Sequence, residues 1–274
     1  MLRFGVSGIP RTSLRPSTES GVARVRALGL DVLEMAWVNG VRMSPATADR
    51  IAAAARAEDV ALTAHAPYYV NLFGDAAIRR RSIQRLLDTG RLAARCGAQS
   101  FCFHAGFYPA RGVARAVARA GAEIRAVVAR LADEGVRVDV RPELTGRRSQ
   151  LGTLDEILDW CAEAPGLAPC VDFAHLYARS LGDANSYDAF AEVLDRIQRR
   201  LGRPALERLH VHLTGIEYGP NGERRHVPLA TSRFRWRDVL RALRDRGVSE
   251  WVIGESPIQE DDARRLARAY RRLG

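Results

Sequence analysis

The chain has 274 residues, of which 47% are hydrophobic and 27% charged. That is enough for one sizeable barrel domain or two ordinary ones, and the balance excludes a disordered chain. No apolar run reaches the length of a membrane span. The formal charge is +10, and all 42 basic residues are arginine. Such an excess favours a polyanionic partner such as nucleic acid, although arginine-rich composition also makes solvated helix faces. The lack of lysine excludes a P-loop and any Schiff-base chemistry through a lysine side chain.

Short runs rich in β-formers recur along the chain and predict eight strands. The first is Leu2–Ser7. The amino-terminal segment lacks the charged start, apolar core and small-residue cleavage site of a signal peptide, so a cytoplasmic protein is expected. Val32–Met35 and Val60–His65 follow, then a helix with Ile83, Leu86 and Leu87 on one face. After the fourth strand, Gln99–His104, an apolar stripe of Val113, Val117, Ile124, Val128 and Leu131 has helical spacing. Val136–Glu143, Ala168–Phe173, Arg208–Leu213 and Trp251–Glu255 complete the set. Gly29, Gly97, Gly135 and Gly247 each close a helical stretch ahead of a strand, as C-terminal caps do. Alternating βα units without a Pro/Gly/Ser-rich linker predict an α/β fold, a single (β/α)8 TIM barrel spanning residues 1–274.

The active site of such a barrel lies at the C-terminal ends of its strands. The predicted third strand ends at His65, the fourth at His104 and the fifth at Glu143. The sixth ends at Asp172, with His175 three residues on; the seventh ends at His212 and the eighth at Glu255. The second strand leads into Glu34, and His226 lies in a long loop after the seventh. Any one of these residues alone is more often a hydrogen-bonded structural group. Together they are harder to explain that way, because carboxylates converging without lysine repel one another and lose solvation. A divalent metal cluster removes the conflict, and imidazole plus carboxylate without thiolate suits zinc or manganese. His210 shares a strand face with His212 but lies deeper, and it reads as a core or supporting histidine. Asp139 and Asp183 read as structural or solvent-facing. Cys96, Cys102, Cys161 and Cys170 form no C-x-x-C pair and read as scattered reduced core thiols.

These residues, in this order and across essentially the whole chain, resemble the endonuclease IV family of abasic-site endonucleases, on a xylose-isomerase-like barrel. The resemblance implies a zinc-dependent hydrolase acting in base excision repair, with two or three zinc ions at the barrel mouth and manganese an alternative at one position. It implies that His65, His104 and Glu143 hold one ion. Glu143 then bridges to a second ion held by Asp172, His212 and Glu255, and His175 and His226 hold the third. Glu143 and Glu255 are the implied catalytic residues, and the implied partner is duplex DNA with an abasic site, met by a monomer away from membranes. One position departs: the family usually has Asp two residues before the histidine matching His226, whereas this chain has Arg224 there and Glu223 beside it. Glu223 is therefore the substitute ligand to look for. Tyr68 and Tyr69 are candidates to wedge into or stack on opened DNA, with rim packing the alternative. Arg42 is a candidate phosphate contact, with Arg11 and Arg147 in comparable segments.

Two rivals remain. A sugar isomerase or epimerase with one divalent metal needs only Glu143, Asp172, His212 and Glu255, which leaves His65, His104, His175 and His226 without a metal. A non-catalytic nucleic-acid-binding barrel accommodates the charge but gains nothing from acids at its centre.

Overall fold

Every predicted strand lies in one parallel sheet in the computed structural model, which describes residues 2–273. The elements run β1 (Leu2–Ser7), α1 (Thr18–Ala27), β2 (Val32–Ala36), α2 (Pro45–Ala57), β3 (Ala61–His65), α3 (Ala76–Arg95), β4 (Ser100–Phe103) and α4 (Val113–Asp133). They continue with β5 (Asp139–Pro142), α5 (Leu154–Ala162), β6 (Cys170–Asp172), α6 (Phe173–Arg179), α7 (Tyr187–Leu201), α8 (Arg203–Glu207) and β7 (Leu209–Leu213). A hairpin of β8 (Gly215–Gly219) and β9 (Gly222–Val227) precedes α9 (Trp236–Asp245), β10 (Glu250–Gly254) and α10 (Glu260–Arg271). The sheet order is β5-β4-β3-β2-β1-β10-β7-β6. The edge strands β5 and β6 are stitched by Ala168 N–H to Val140 O (3.2 Å) and Leu144 N–H to Cys170 O (3.0 Å), which leaves a nearly closed barrel.

Alternation along the strands separates two environments. Phe4, Val6, Leu33, Leu62, Phe101, Val140, Val171, Val211 and Val252 join the large apolar layer between sheet and helices. The other phase faces the lumen, where Val32, Ala61, Trp251 and Ile253 form a small separate cluster. Continuing that phase brings Glu34, His65, Cys102, His104, Arg141, Glu143, Cys170, Asp172, His210, His212 and Glu255 into the lumen or onto its rim. The lumen is therefore polar where the sheet exterior is not.

Local chemistry sets several boundaries. The Asp172 side chain accepts from the His175 backbone N–H, so α6 starts at Phe173, the last residue of the run expected to form the sixth strand. Val136–Val138 lie outside β5, because the ladder with β4 begins at the Ser100–Asp139 pair. His104, Glu143 and Glu255 stand one residue past the ends of β4, β5 and β10, and β7 runs one residue beyond His212. The expected long loop around His226 folds as the β8–β9 hairpin. The stripe expected on α4 is displaced, with Val113 47% exposed. The helix packs through Ala116, Ala120, Gly121, Ile124, Val127 and Leu131, so Ile124 and Leu131 of the stripe are buried while Val117 and Val128 lie at the edge of the core. A Cβ at Gly121 would sit 2.7 Å from Trp160, so small residues set this close approach and the valines fall to its flanks. Gly29, Gly97, Gly135 and Gly247 all have positive φ after their helices, as expected of caps.

Candidate metal centre

Glu143 is the hub of the barrel mouth, with 1% exposure. Its Oε2 lies 3.0 Å from His65 Nε2 and 3.2 Å from His104 Nε2. Its Oε1 lies 3.1 Å from His212 Nδ1 and 3.3 Å from His175 Nδ1. His212 Nδ1 is also 3.4 Å from Glu255 Oε2. Ligand atoms of Glu143, Asp172, His212 and Glu255 all fall within 4.8 Å of one another, as do those of Asp172, His175 and His226 and those of His104, Glu143 and His175. The residues picked out at the strand ends thus converge.

Asp172 tests whether this set suits a cation. Its Oδ1 caps α6, while its Oδ2 is buried with no hydrogen-bond partner among the described residues. Burial pushes its carboxyl pKa up, and the charges of Glu255 and Glu143 push the same way against His175. An acceptor-only oxygen in such surroundings has a use if a metal ion sits beside it. Imidazole and carboxylate donors fit a divalent ion of the zinc or manganese type.

The remaining electrostatics agree. Burial alone would lower the His65 pKa, but hydrogen bonding and charge from Glu143, with Glu34 and Glu255 behind, raise it to about 9. His175 and His212 are also held well above the ordinary histidine value despite burial, by Asp172 and Glu223 in the first case and by Glu255, Glu34 and Glu143 in the second. Glu143 stays far below the carboxylate range although burial opposes it, because His104 and His212 surround it.

The hairpin delivers the last donors. Pairing of Glu217 with Arg225 and of Tyr218 with Glu223 leaves Arg224 unmatched, which makes it a β-bulge. In a regular strand Arg224 would share the His226 face; the extra residue turns Glu223 to that face instead. Glu223 Oε2 lies 3.6 Å from His175 Nε2, and Oε1 lies 3.9 Å from His226 Nε2. The two histidine Nε2 atoms are 3.3 Å apart. Arg224 is exposed, its guanidinium over Gly219. The hairpin docks on glycine: a Cβ at Gly146 would stand 2.7 Å from Glu223 Cβ and 2.8 Å from the His175 ring.

A cavity of about 410 Å³ opens above these groups, with Tyr68, Phe107, Arg147 and Gln150 on its walls. The Tyr68 ring packs against His65 (5.3 Å between centroids) and His104 (5.7 Å), yet Tyr68 is 52% exposed. Tyr69 lies off the cavity, its ring 5.9 Å from the Arg85 guanidinium. Arg42 is exposed and does not line the cavity, and Arg11 is tied to Asp261 at 2.7 Å. Asp139 pairs with Arg141 and Arg208, and Asp183 is exposed, as read from the sequence.

The layer beneath holds Glu34, which the sequence places on the second strand without a partner. Glu34, at 0% exposure, has Oε2 3.2 Å from both His210 Nε2 and His212 Nε2. A carboxylate inside the apolar strand Val-Leu-Glu-Met-Ala was the available signal, since it must find partners there. The thiols are less scattered than expected: Cys102 and Cys170 stand beside His210 and His212, and burial raises both thiol pKa values. That keeps them protonated and makes them part of the hydrogen-bonded lumen.

Comparison with known proteins agrees with this architecture. The family described as xylose isomerase-like TIM barrel matches residues 22–273. An uncharacterized protein of Methanocaldococcus jannaschii is 38% identical over 274 residues, covering 100% of this chain and 98% of its own. Among solved structures, endonuclease IV from Thermus thermophilus superposes with a TM-score of 0.76 at 22% identity, covering 99% of this chain and 100% of its own. A D-tagatose 3-epimerase-like protein superposes with a TM-score of 0.78 at 17% identity, covering 99% and 98%. The 3-keto-D-glucoside 4-epimerase of E. coli reaches 0.74 at 14% identity, covering 99% and 100%. At these identities the structural likenesses speak to the fold alone. No helix among the described residues is long and apolar enough to cross a membrane.

Proposed function

We propose that this chain, which belongs to the xylose isomerase-like TIM barrel family, is a metal-dependent endonuclease that hydrolyses the phosphodiester 5′ to an abasic site in duplex DNA. The observation that carries the reading is the surplus of donors around Glu143. His65, His104, His175 and His212 all approach its two oxygens within 3.3 Å. His65, His104 and Glu143 are assigned to one ion, and Glu143, Asp172, His212 and Glu255 to a second. His175, His226 and Glu223 are assigned to a third.

Zinc ions held by these residues would supply positive charge at the phosphate and would lower the pKa of water. The protein's part is placement. Glu143 presents one oxygen to each neighbouring set and so fixes their separation. Glu255 stands at the mouth with its side chain 10% exposed, where it can orient a water molecule. Arg147 on the cavity wall meets the phosphate, and the exposed Tyr68 ring stacks on opened DNA. A charge of +10 suits a polyanionic substrate.

The test is incubation of the protein with a duplex oligonucleotide bearing one abasic site, with and without chelator pretreatment. A single chelator-sensitive cut 5′ to the lesion, leaving a 3′-hydroxyl, is expected; no cut by the zinc-loaded chain overturns the reading. One observation favours a second reading, a sugar epimerase with a single divalent ion. Glu143, Asp172, His212 and Glu255 come within 4.8 Å of one another without help from the other histidines. Metal-dependent turnover of a ketose by a chain that leaves abasic DNA uncut would decide for it.

A further inference from the structure

We infer that Glu34 is a positioning residue for the metal centre: by accepting a hydrogen bond from the Nε2–H of His212, it holds that ring with its Nδ1 lone pair turned to the metal. This rests on His212 being a metal ligand, which the nuclease and epimerase readings share.

Both ring nitrogens of His212 are engaged, on opposite sides. Nδ1 faces Glu143 Oε1 at 3.1 Å and Glu255 Oε2 at 3.4 Å, while Nε2 faces Glu34 Oε2 at 3.2 Å. A neutral imidazole carries one N–H. With that proton on Nε2 the hydrogen bond to Glu34 is made and Nδ1 is free to bind an ion. With the proton on Nδ1, two lone pairs would oppose each other at Glu34 and the ligand position would be blocked. A carboxylate on the far nitrogen of a metal-binding histidine fixes the tautomer and raises its basicity.

The carboxylate is itself held. The Ser7 hydroxyl donates to Oε1 at 2.9 Å, and the Cys102 thiol approaches Oε2 at 3.5 Å. His210 Nε2 lies 3.2 Å from Oε2, while its Nδ1 has no partner among the described residues. His210 Nε2 also lies 3.1 Å from His212 Nε2, so it touches both the carboxylate and the ring that the carboxylate orients. These donors come from β1, β4 and β7, so the carboxylate is fixed from three strands. For folding alone a carboxylate here is a poor choice. At 0% exposure it carries a large desolvation cost, and a well-packed apolar residue of similar volume is often neutral or stabilising.

The test compares wild type with Glu34→Gln, which keeps the volume but weakens the acceptor. The full-length protein is stripped of metal and titrated with zinc against a chromophoric chelator, and thermal unfolding is followed in excess chelator. The expected result is a loss of about 10–100-fold in zinc affinity, with metal-free unfolding unchanged or moved upward. Wild-type affinity in a variant whose metal-free form melts lower would make Glu34 purely structural and overturn the inference. Long-range 15N–1H NMR of the zinc-loaded wild type reads the tautomer directly and covers a variant that does not fold. A proton on Nε2 of His212 supports the inference, and a proton on Nδ1 overturns it. A wild type that takes up no zinc overturns the metal reading itself, whereas equal uptake by both proteins overturns only the role of Glu34.

Discussion

At the amino-terminal end of the lumen, Arg141 lies at 0% exposure between Asp139 at 3.2 Å and Glu250 at 2.6 Å, and it donates to Arg208 O at 3.1 Å. Its guanidinium carbon is 5.9 Å from the Trp251 ring centre. Glu250 Oε2 and Arg141 Nε make no hydrogen bond among the described residues. Even so, positive charge meets negative charge across the whole group. At the carboxyl-terminal end, Glu143, Asp172 and Glu255 face histidines, and Asp172 Oδ2, 3.5 Å from His175 Nδ1, makes no hydrogen bond among the described residues. Burial is similar at both ends, so burial does not separate structure from function. What separates them is whether the charges complete one another or leave donor atoms aimed at a common point.

The sharpest way to break this comparison is to mutate each end. Glu143→Gln should reduce turnover to assay background and lower metal content while leaving the unfolding temperature close to wild type. Arg141→Met should do the reverse. Removing one member of a buried ion pair costs about 3–5 kcal/mol. The lower figure applies here, because the acid side chains are 19% and 12% exposed. Metal bound per folded molecule should stay normal. Calorimetry with elemental analysis reads both quantities, and an Arg141 variant that lost metal without losing stability would end the distinction.

A second test uses protons. Metal binding requires deprotonated histidines, yet in the metal-free protein His65 is raised to about 9, with His175 and His212 raised as well. For a group raised on folding, the stabilisation is complete below its unfolded pKa, about 6.5, and is lost as pH climbs through the folded value. Metal-free stability should therefore fall between about pH 6.5 and 9, while zinc affinity rises across the same window. Zinc added at neutral pH in weak buffer should release protons, seen with an indicator dye. Affinity flat with pH would count against the histidines as ligands.

Much of this was legible in the sequence because a parallel barrel converts sequence position into geometry. Strand ends share one rim, so His65, His104, Glu143, Asp172, His212 and Glu255 could be grouped before any distance was known. Boundaries were weaker, since they depend on side chains: Asp172 ends β6 by capping α6. The α4 face is only partly legible, because Ile124 and Leu131 mark it while alanine and glycine, poor hydrophobic markers, let the helix approach Trp160 closely. Glu34 was harder to interpret, because its partners come from strands far away in the chain.

The smallest expected effect concerns the hairpin, where sequence spacing alone misleads. Counting two residues back from His226 selects Arg224, a cation that would repel a metal ion. The bulge skips it and puts Glu223 within 4 Å of both His175 and His226. Glu223→Ala should therefore lower bound zinc by about one ion per chain, leaving the other positions filled. Arg224→Ala should change the count by nothing, since its guanidinium rests over Gly219 on the exposed side. Elemental analysis after gel filtration distinguishes the two. The reverse pattern would mean that the hairpin holds regular alternation in solution, and the third position would then lack its carboxylate.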